Sequence, residues 1–252
     1  MDIKIPYTPR KHQAYLHKKI SENRWNVLVC HRRFGKTVCM INHLIRSALL
    51  SKNKNPRYAY IAPTFKQAKS IAWDYMKQFT AKIPYTKFNE TELRVDLPNG
   101  SRITLLGSEN SDGLRGIYLD GCVIDEYANV NERLFPEIIR PALSDRKGYC
   151  VFIGTPQGMN NNFYELYQHA QGADDWFNYK AKASDTKIVD DEELVKAKEV
   201  MGEKKYQQEF ECDWIANIEG AVYSDVLAKM EDKKQLTRVP YDPSLPVSTA
   251  WD

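Results

Sequence analysis

The 252 residues suffice for one sizeable core, or one core with a small appendage, and exclude two full nucleotide-binding domains with their helices. Hydrophobic residues at 42% and charged residues at 27% are ordinary for a soluble globular chain; no apolar run approaches the roughly 20 residues that span a bilayer, and the first twenty residues carry no secretory signal. The net charge of +3 hides an asymmetry: residues 1–69 hold 15 Lys/Arg against Asp2 and Glu22, a net +13, while the remainder carries −10, so the basic part suits either a polyanionic partner or a plain solvated surface.

In chain order, residues 25–30 (WNVLVC) read as a buried strand. From Lys36 the apolar positions Val38, Ile41, Ile45, Ala48 and Leu49 recur at helical spacing. After the break at 53–57 (NKNPR), residues 58–62 (YAYIA) predict a second strand and 66–79 a second helix. Residues 93–97 and 102–106 flank Pro98-Asn99-Gly100 and predict a hairpin. Residues 121–124 and 149–153 are further short strands. Strands that alternate with helices predict an α/β domain with a mostly parallel sheet. Past residue 174 the chain turns charged and helical, with a narrow apolar stripe at Val195, Val200 and Met201, as expected of a small helical appendage. The end on Trp251-Asp252, just after what reads as the start of a strand, suggests an isolated domain or a shortened chain. The five cysteines, Cys30, Cys39, Cys122, Cys150 and Cys212, form no CxxC pair, so neither zinc nor a disulfide framework is expected and a reducing cytosol fits.

The sharpest motif is Cys30-His31-Arg32-Arg33-Phe34-Gly35-Lys36-Thr37, between a predicted strand and a predicted helix. Backbone N–H groups in such a loop cradle phosphate oxygens; Lys36 would reach the β- and γ-phosphates, and the Thr37 hydroxyl would ligate Mg²⁺. Cys30 replaces the first glycine of the usual GxxxxGK[ST] pattern. Residues 121–126 (GCVIDE) form an apolar strand ending in two carboxylates. At the carboxyl edge of a parallel sheet, Asp125 would hold Mg²⁺ and Glu126 would orient and deprotonate the attacking water. The strand 149–153 runs into Gly154-Thr155-Pro156, where Thr155 is placed to sense the γ-phosphate, although from those residues alone an ordinary turn is the stronger reading. Residues 107–116 (GSENSDGLRG) are polar and glycine-rich. They precede the Asp125 strand, whose length puts about 20 Å between its ends, so Arg115 would reach a neighbour's ATP more easily than its own.

Together these residues resemble the large terminase subunit of tailed double-stranded DNA bacteriophages, the ATPase that pumps viral DNA into an empty capsid. The resemblance implies a RecA-like P-loop (ASCE) ATPase fold, α/β with helices flanking a mostly parallel sheet and a small helical lid. Tyr7-Thr8-Pro9-Arg10-Lys11-His12-Gln13 looks like the family's adenine-contacting segment, with Gln13 on the adenine edge and Arg10 nearby. Terminases carry arginine in a phosphate loop that lacks its first glycine, here Arg32 with Arg33 beside it, and Phe34 and Gly35 complete the loop. Asp125 and Glu126 match the magnesium-binding and catalytic acids. Leu114-Arg115-Gly116 matches the LRG segment with its candidate arginine finger, and Gly154-Thr155-Pro156 matches the coupling motif. Residues 206–214 (YQQEFECDW) and Glu219-Gly220 resemble the lid and the approach to a second domain.

The implied organisation is an ATPase core over 1–174, a lid with return to the core over 175–235, and over 236–252 a linker and the start of an absent nuclease domain. Asp252 falls where that nuclease's first metal ligand would lie, and one carboxylate builds no two-metal site, so nuclease activity is not expected from this chain alone. The resemblance further implies ATP as substrate, Mg²⁺ as cofactor, and double-stranded DNA, the portal protein, the procapsid and the small terminase subunit as partners. It also implies a homo-oligomeric ring, usually five-fold, in the host cytoplasm and transiently at the portal, without a membrane. Lys66, Lys69, Arg146 and Lys147 are basic candidates for gripping DNA, although each reads better as solvated surface. Two other readings stay open. One is the first motor domain of a superfamily-2 helicase-like translocase. The other is a nucleotide-dependent switch that hardly turns over, which Glu126 argues against.

Overall fold

In the computed structural model, residues 4–215 are described, together with Met230 and Lys233. Eight strands form one sheet in the order β3-β4-β5-β2-β6-β7-β1-β8. Their bounds are β1 Trp25–Cys30, β2 Arg57–Ala62, β3 Lys87–Asn89, β4 Arg94–Asp96, β5 Arg102–Gly107, β6 Gly121–Asp125, β7 Tyr149–Gly154 and β8 Trp176–Ala181. From β5 to β8 every neighbouring pair is parallel, while β3 and β4 run antiparallel at one edge. The hairpin forms as the Pro98-Asn99-Gly100 turn predicts, with Val95 opposite Ile103. The registers Val27↔Phe152, Val123↔Val151 and Tyr60↔Val123 bring the carboxyl ends of β1, β7, β6 and β2 to one edge.

The central strands read as unbroken apolar runs because both faces are covered, as parallel sheets require. All six residues of β1 are buried. Alternation sends Leu28 and Cys30 to one side, against Leu16 and Ile20 of the helix α1 (Lys11–Glu22) and Met40, Leu44 and Ile45 of α2 (Lys36–Leu50). Val27 and Val29 face the other side, packing with Phe135, Ile138 and Ile139 of a π-helical turn (Phe135–Ile139), Phe163, and Trp214.

The helix expected over 66–79 is interrupted. A short α3 (Phe65–Ala68), capped by Thr64 Oγ1 accepting the Gln67 N–H at 3.1 Å, passes through a π-helical turn (Lys69–Trp73) into α4 (Asp74–Thr80). Beyond the short α5 (Arg140–Ala142) come α6 (Asn162–Gln171), whose N-cap Asn161 accepts the Phe163 and Tyr164 N–H groups, and then β8. Because β8 pairs with β1 along its whole length, the main sheet takes in residues past 174. The helical appendage starts after it, with α7 (Ala183–Thr186), α8 (Asp191–Met201) and α9 (Glu203–Glu209) around Ala183, Leu194 and Phe210. The described residues 4–215 form one compact unit. Glu219-Gly220, the expected linker over 236–252 and Asp252 lie outside the described residues. All five cysteines are free and buried, and among the described residues no helix is long and apolar enough to cross a membrane.

Candidate active site

At the carboxyl end of β1 the chain leaves the sheet and curls. His31 donates its N–H to Ala181 O at 3.0 Å, and Arg32 donates its own to Glu209 O at 2.7 Å. Arg33 (φ +70°) and Gly35 (φ +87°) both adopt the left-handed conformation, the geometry in which consecutive N–H groups can converge on an anion. Phe34, fully buried and edge-on to His31 at 5.6 Å between centroids, pins the middle of the loop to the core. From outside, Arg10 Nη1 donates to Phe34 O at 3.3 Å and Gln13 Nε2 to Gly35 O at 3.2 Å. A Cβ on Gly35 would lie 2.9 Å from that same Gln13 nitrogen, so the left-handed φ and the close approach both demand glycine. Arg10 and Gln13 thus hold the loop. Gln13 is 4% exposed, and its Oε1 accepts the Arg10 N–H at 3.0 Å.

Lys36 and Thr37 open α2. Lys36 Nζ donates to Cys30 O at 3.3 Å and stands 3.9 Å from Glu126 Oε1. That ion pair spans the end of β7, which lies between β6 and β1 in the sheet. Beside them the Tyr60 hydroxyl donates to Asp125 Oδ2. Asp125 Oδ1 accepts the Glu126 N–H at 3.0 Å. Glu126 itself is left-handed (φ +47°, ψ +48°), an uncommon state for a residue with a side chain, and it ends the strand there. Burial pushes the Glu126 carboxyl above the ordinary range; Lys36 pulls it back, the carboxylates of Asp125 and Glu209 push it further, and a hydrogen bond from the Thr155 N–H lowers it. Burial likewise raises Asp125, with the Tyr60 hydroxyl, Lys36 and the Glu126 N–H acting against it. The structure therefore gathers Arg10, Gln13, residues 32–37, Asp125, Glu126 and Thr155 at one edge.

Arg115 lies apart. A 3₁₀ turn (Ser108–Leu114) leaves the carboxyl end of β5, where Glu109 Oε1 accepts the Phe65 N–H at 2.7 Å. Leu114 then packs in the core layer opposite α2, and the Arg115 guanidinium is 3.4 Å from Glu137 on the π-helical turn of that layer. Of the basic residues considered for DNA, Arg146 is committed to the fold: it bonds Lys54 O at 3.0 Å, pairs with Asp120 at 3.6 Å and lies over the Tyr118 ring.

A cleft of about 620 Å³ opens beside the loop, lined by Arg10, residues 33–38, Ser70, Ile71 and Tyr75. The last three escape the sequence because the π-helical turn breaks the 3.6-residue period. Tyr60, the partner of Asp125, and Gln208 and Glu209, which meet the site from α9, carry no local signal either. A second cleft of about 650 Å³, between α1 and α2, is lined by Tyr7, His17, Leu49 and Leu50 and is apart from the phosphate loop.

Fold and site together define a RecA-like α/β protein in which the loop opening α2 is opposed by the acidic end of β6. Residues 29–227 match the family described as terminase large subunit, T4likevirus-type, N-terminal. The chain belongs to that family. The terminase large subunit of Thermus phage G20c is 26% identical over 182 residues, 65% of this chain and 36% of that protein; that of Thermus virus P23-45 matches to the same extent. The chain thus spans little more than a third of these curated relatives' length. Among solved structures, the large terminase ATPase domain of Thermus phage P74-26 superposes with a TM-score of 0.70 at 21% identity, covering 83% of this chain and 95% of that one. The large terminase of a thermophilic bacteriophage, in complex with ADP, gives 0.70 at 17% identity, covering 81% of this chain and 53% of that one.

Proposed function

We propose that this chain is a Mg²⁺-dependent ATPase, the motor domain of a phage large terminase that moves double-stranded DNA into a procapsid. The observation that carries this reading is the Lys36–Glu126 pair, which joins the phosphate loop at the end of β1 to the acidic end of β6 across 3.9 Å. In this reading the loop's N–H groups and Lys36 hold the β- and γ-phosphates. Glu126 accepts a proton as water attacks the γ-phosphorus: the new bond is water oxygen to phosphorus, the broken one joins the γ-phosphorus to the bridging oxygen, and ADP leaves. A carboxyl raised by burial is a stronger base near neutral pH than a free one. Thr37 and Asp125 are hard oxygen donors on one side of the loop. That set suits Mg²⁺, which takes one or two protein oxygens and completes its shell with phosphate and water. When bound, the ion neutralises phosphate charge.

Arg32 and Arg33 are exposed at the loop's mouth and would meet phosphate charge in cis. Arg115 is assigned to a neighbouring subunit's ATP. Its pair with Glu137 is solvent-exposed, worth about 0–1 kcal/mol, and does not hinder the guanidinium from changing partner. Assembly as a homo-oligomeric ring, five-fold at the portal, with the small terminase subunit as partner in the host cytoplasm, belongs to the same reading. So does a division into an ATPase core, which with β8 extends past 174 to residue 181, a helical lid after it, and a following nuclease. DNA would be gripped through phosphates, without sequence preference and with strong salt dependence. Family membership favours this over the helicase-like alternative.

The test is Mg²⁺-dependent ATP hydrolysis as a function of protein concentration, with Glu126→Gln as blank. Specific activity that rises with concentration supports an arginine supplied by a neighbour, and flat activity assigns that role to Arg32 or Arg33. A Glu126→Gln chain that hydrolyses at the wild-type rate overturns the assignment of the base.

A further inference from the structure

To read an adenine edge, a side-chain amide needs its oxygen free to accept from the adenine amino group and its nitrogen free to donate to the adjacent ring nitrogen, N7. The sequence offers Gln13 for that role, and the fold uses its oxygen elsewhere. Gln13 is the third residue of α1 and is 4% exposed. Its Oε1 accepts the Arg10 N–H at 3.0 Å, capping the helix, with the Tyr7 hydroxyl 3.4 Å away. Its Nε2 donates to Gly35 O at 3.2 Å. One N–H of that amide is left over. Its complement is an acceptor, and N7 is an acceptor in adenine and guanine alike. Gln13 thus ties α1 to the loop and carries no group that separates the two purines.

The cleft of about 620 Å³ beside the loop has the size of a small-molecule site. It runs from the loop past Thr37 to Val38, and its remaining wall is Ser70, Ile71 and Tyr75. These three come from the π-helical turn and the start of α4. Ile71 and Tyr75 are 40% and 39% exposed, large apolar side chains left open in a cleft. The Tyr75 ring lies within 13° of parallel to Phe79 at 6.2 Å between centroids, and Phe79 is itself buried and packed at 6.0 Å against Tyr7. A flat ring backed by the core is a stacking surface, and stacking is tolerant because every base has a π-face. The polar groups on this wall are the hydroxyls of Ser70, which donates to Gln67 O at 3.2 Å, and Tyr75. A hydroxyl donates or accepts, so it suits either purine. Among the described residues no carboxylate and no side-chain amide lines the cleft.

We infer that Tyr75, with Ile71, is the base platform of the nucleotide site, and that the chain takes purine nucleoside triphosphates without choosing between adenine and guanine. This rests on the reading of the loop as the phosphate site. Recognition then falls on the triphosphate, through Lys36 and the loop N–H groups, and on ring area against Tyr75. A pyrimidine covers less of that ring and is held more weakly. Gln13 acts on the nucleotide only through the loop it holds.

The experiment measures binding of non-hydrolysable ATP, GTP and UTP analogues to the wild-type chain, Tyr75→Ala and Tyr75→Phe, with hydrolysis of the three parent nucleotides alongside. In the wild type, the ATP and GTP analogues bind within about threefold of each other and the UTP analogue about fivefold more weakly. Tyr75→Ala weakens the two purine analogues by about fivefold or more and by the same factor, and Tyr75→Phe restores them, since the ring and not the hydroxyl carries the contact. Tyr75 is partly exposed, so its replacement leaves the core intact. An ATP analogue bound tenfold or more tighter than the GTP analogue, or a Tyr75→Ala chain with wild-type affinity, overturns the inference and leaves the ATPase reading intact. Equal purine binding lost in Tyr75→Ala, without turnover of any nucleotide, upholds the inference and counts against the ATPase reading alone. A chain that binds none of the three analogues removes both.

Discussion

One strand, β6, separates two buried aspartates that use their burial differently. Asp120 precedes it and is 7% exposed; its carboxylate accepts from Asn53 Nδ2 at 2.6 Å and from the Arg57 N–H at 2.7 Å, and pairs with Arg146 at 3.6 Å. Asp125 ends the strand at 4% exposure with two neutral donors, the Tyr60 hydroxyl and the Glu126 N–H, while Lys36 is shared with Glu126 and Cys30 O. The first carboxylate has its lone pairs filled by two donors and a cation, and it ties the 53–57 loop to the start of β6. The second is held by neutral groups and raised by burial, which leaves it able to take a stronger cationic partner. If Asp125 holds the metal as proposed, the contrast means that burial alone does not mark a functional acid. What marks it is burial without a dedicated countercharge, at the edge where a ligand can supply one.

The largest expected effects fall on the carboxyl end. Asp125→Asn and Glu126→Gln should each lower turnover by about 10²–10⁴-fold, while thermal stability holds or rises, because each removes an incompletely compensated buried charge. Hydrolysis rates set beside Tm check this, and a stability loss matching that of Asp120 variants would erase the distinction between the two ends. Asp120→Ala should do the reverse. It leaves the Arg57 N–H and the Asn53 amide without their acceptor and Arg146 without its counterion, costing about 2–4 kcal/mol in urea unfolding, with turnover per folded molecule within about twofold of wild type.

Acid lability separates the two ends from a third site. Groups whose carboxyls are raised in the native state, as at Asp125 and Glu126, favour the folded chain when protonated, so they cannot cause acid unfolding. The half-buried His17 and the buried His43 can. Their rings stack at 5.4 Å, with Nδ1 atoms 3.1 Å apart, and the Tyr7 hydroxyl is 3.0 Å from His17 Nε2. Burial, with Arg46, lowers His17 to about 4; burial, with His17 and Arg46, lowers His43 to about 3. Unfolded histidines titrate near 6.5, so as the pH falls from there toward 3 the unfolded chain binds more protons and stability is lost, by about 3–5 kcal/mol for the coupled pair. Urea midpoints at pH 8 and pH 5 measure it, and His43→Gln should flatten the difference. An unchanged slope in that variant would place the acid lability outside this histidine pair.

The edge that carries the site was legible because its chemistry is local. A six-residue apolar strand running into Gly35-Lys36-Thr37, and another running into Asp125-Glu126, announce both the sheet and its carboxyl end in contiguous residues. The Pro98-Asn99-Gly100 turn announces the hairpin in the same way. What stayed hidden depends on distant partners or broken periods. In α1 only Gln13, Leu16 and Ile20 are buried, and β8 is an edge strand of mostly half-buried residues, so neither shows a strong apolar pattern. Of the cleft residues, Ser70 and Ile71 lie in, and Tyr75 just after, a π-helical turn that no helical template registers. The bond from Gln208 to Pro156 joins residues 52 apart, and nothing near either one suggests it. The spacing argument for Arg115 treated its loop as the foot of β6. The loop in fact begins at the carboxyl end of β5 and crosses the layer opposite α2, where Glu137 takes the guanidinium.

The smallest expected effect is the most discriminating between the two acids at the carboxyl end. Tyr60→Phe removes only the hydroxyl that donates to Asp125 and leaves the ring, fully buried, in place. Asp125 then keeps the Glu126 N–H as donor and loses the hydrogen bond that most opposes the effect of burial, so its carboxyl rises further. If Asp125 must be ionised for turnover, the acid limb of the kcat–pH profile moves to higher pH by about half to one unit, with kcat on the plateau lowered no more than about threefold. If Glu126 alone sets that limb, its position holds, because the Tyr60 hydroxyl donates to the neighbouring carboxylate.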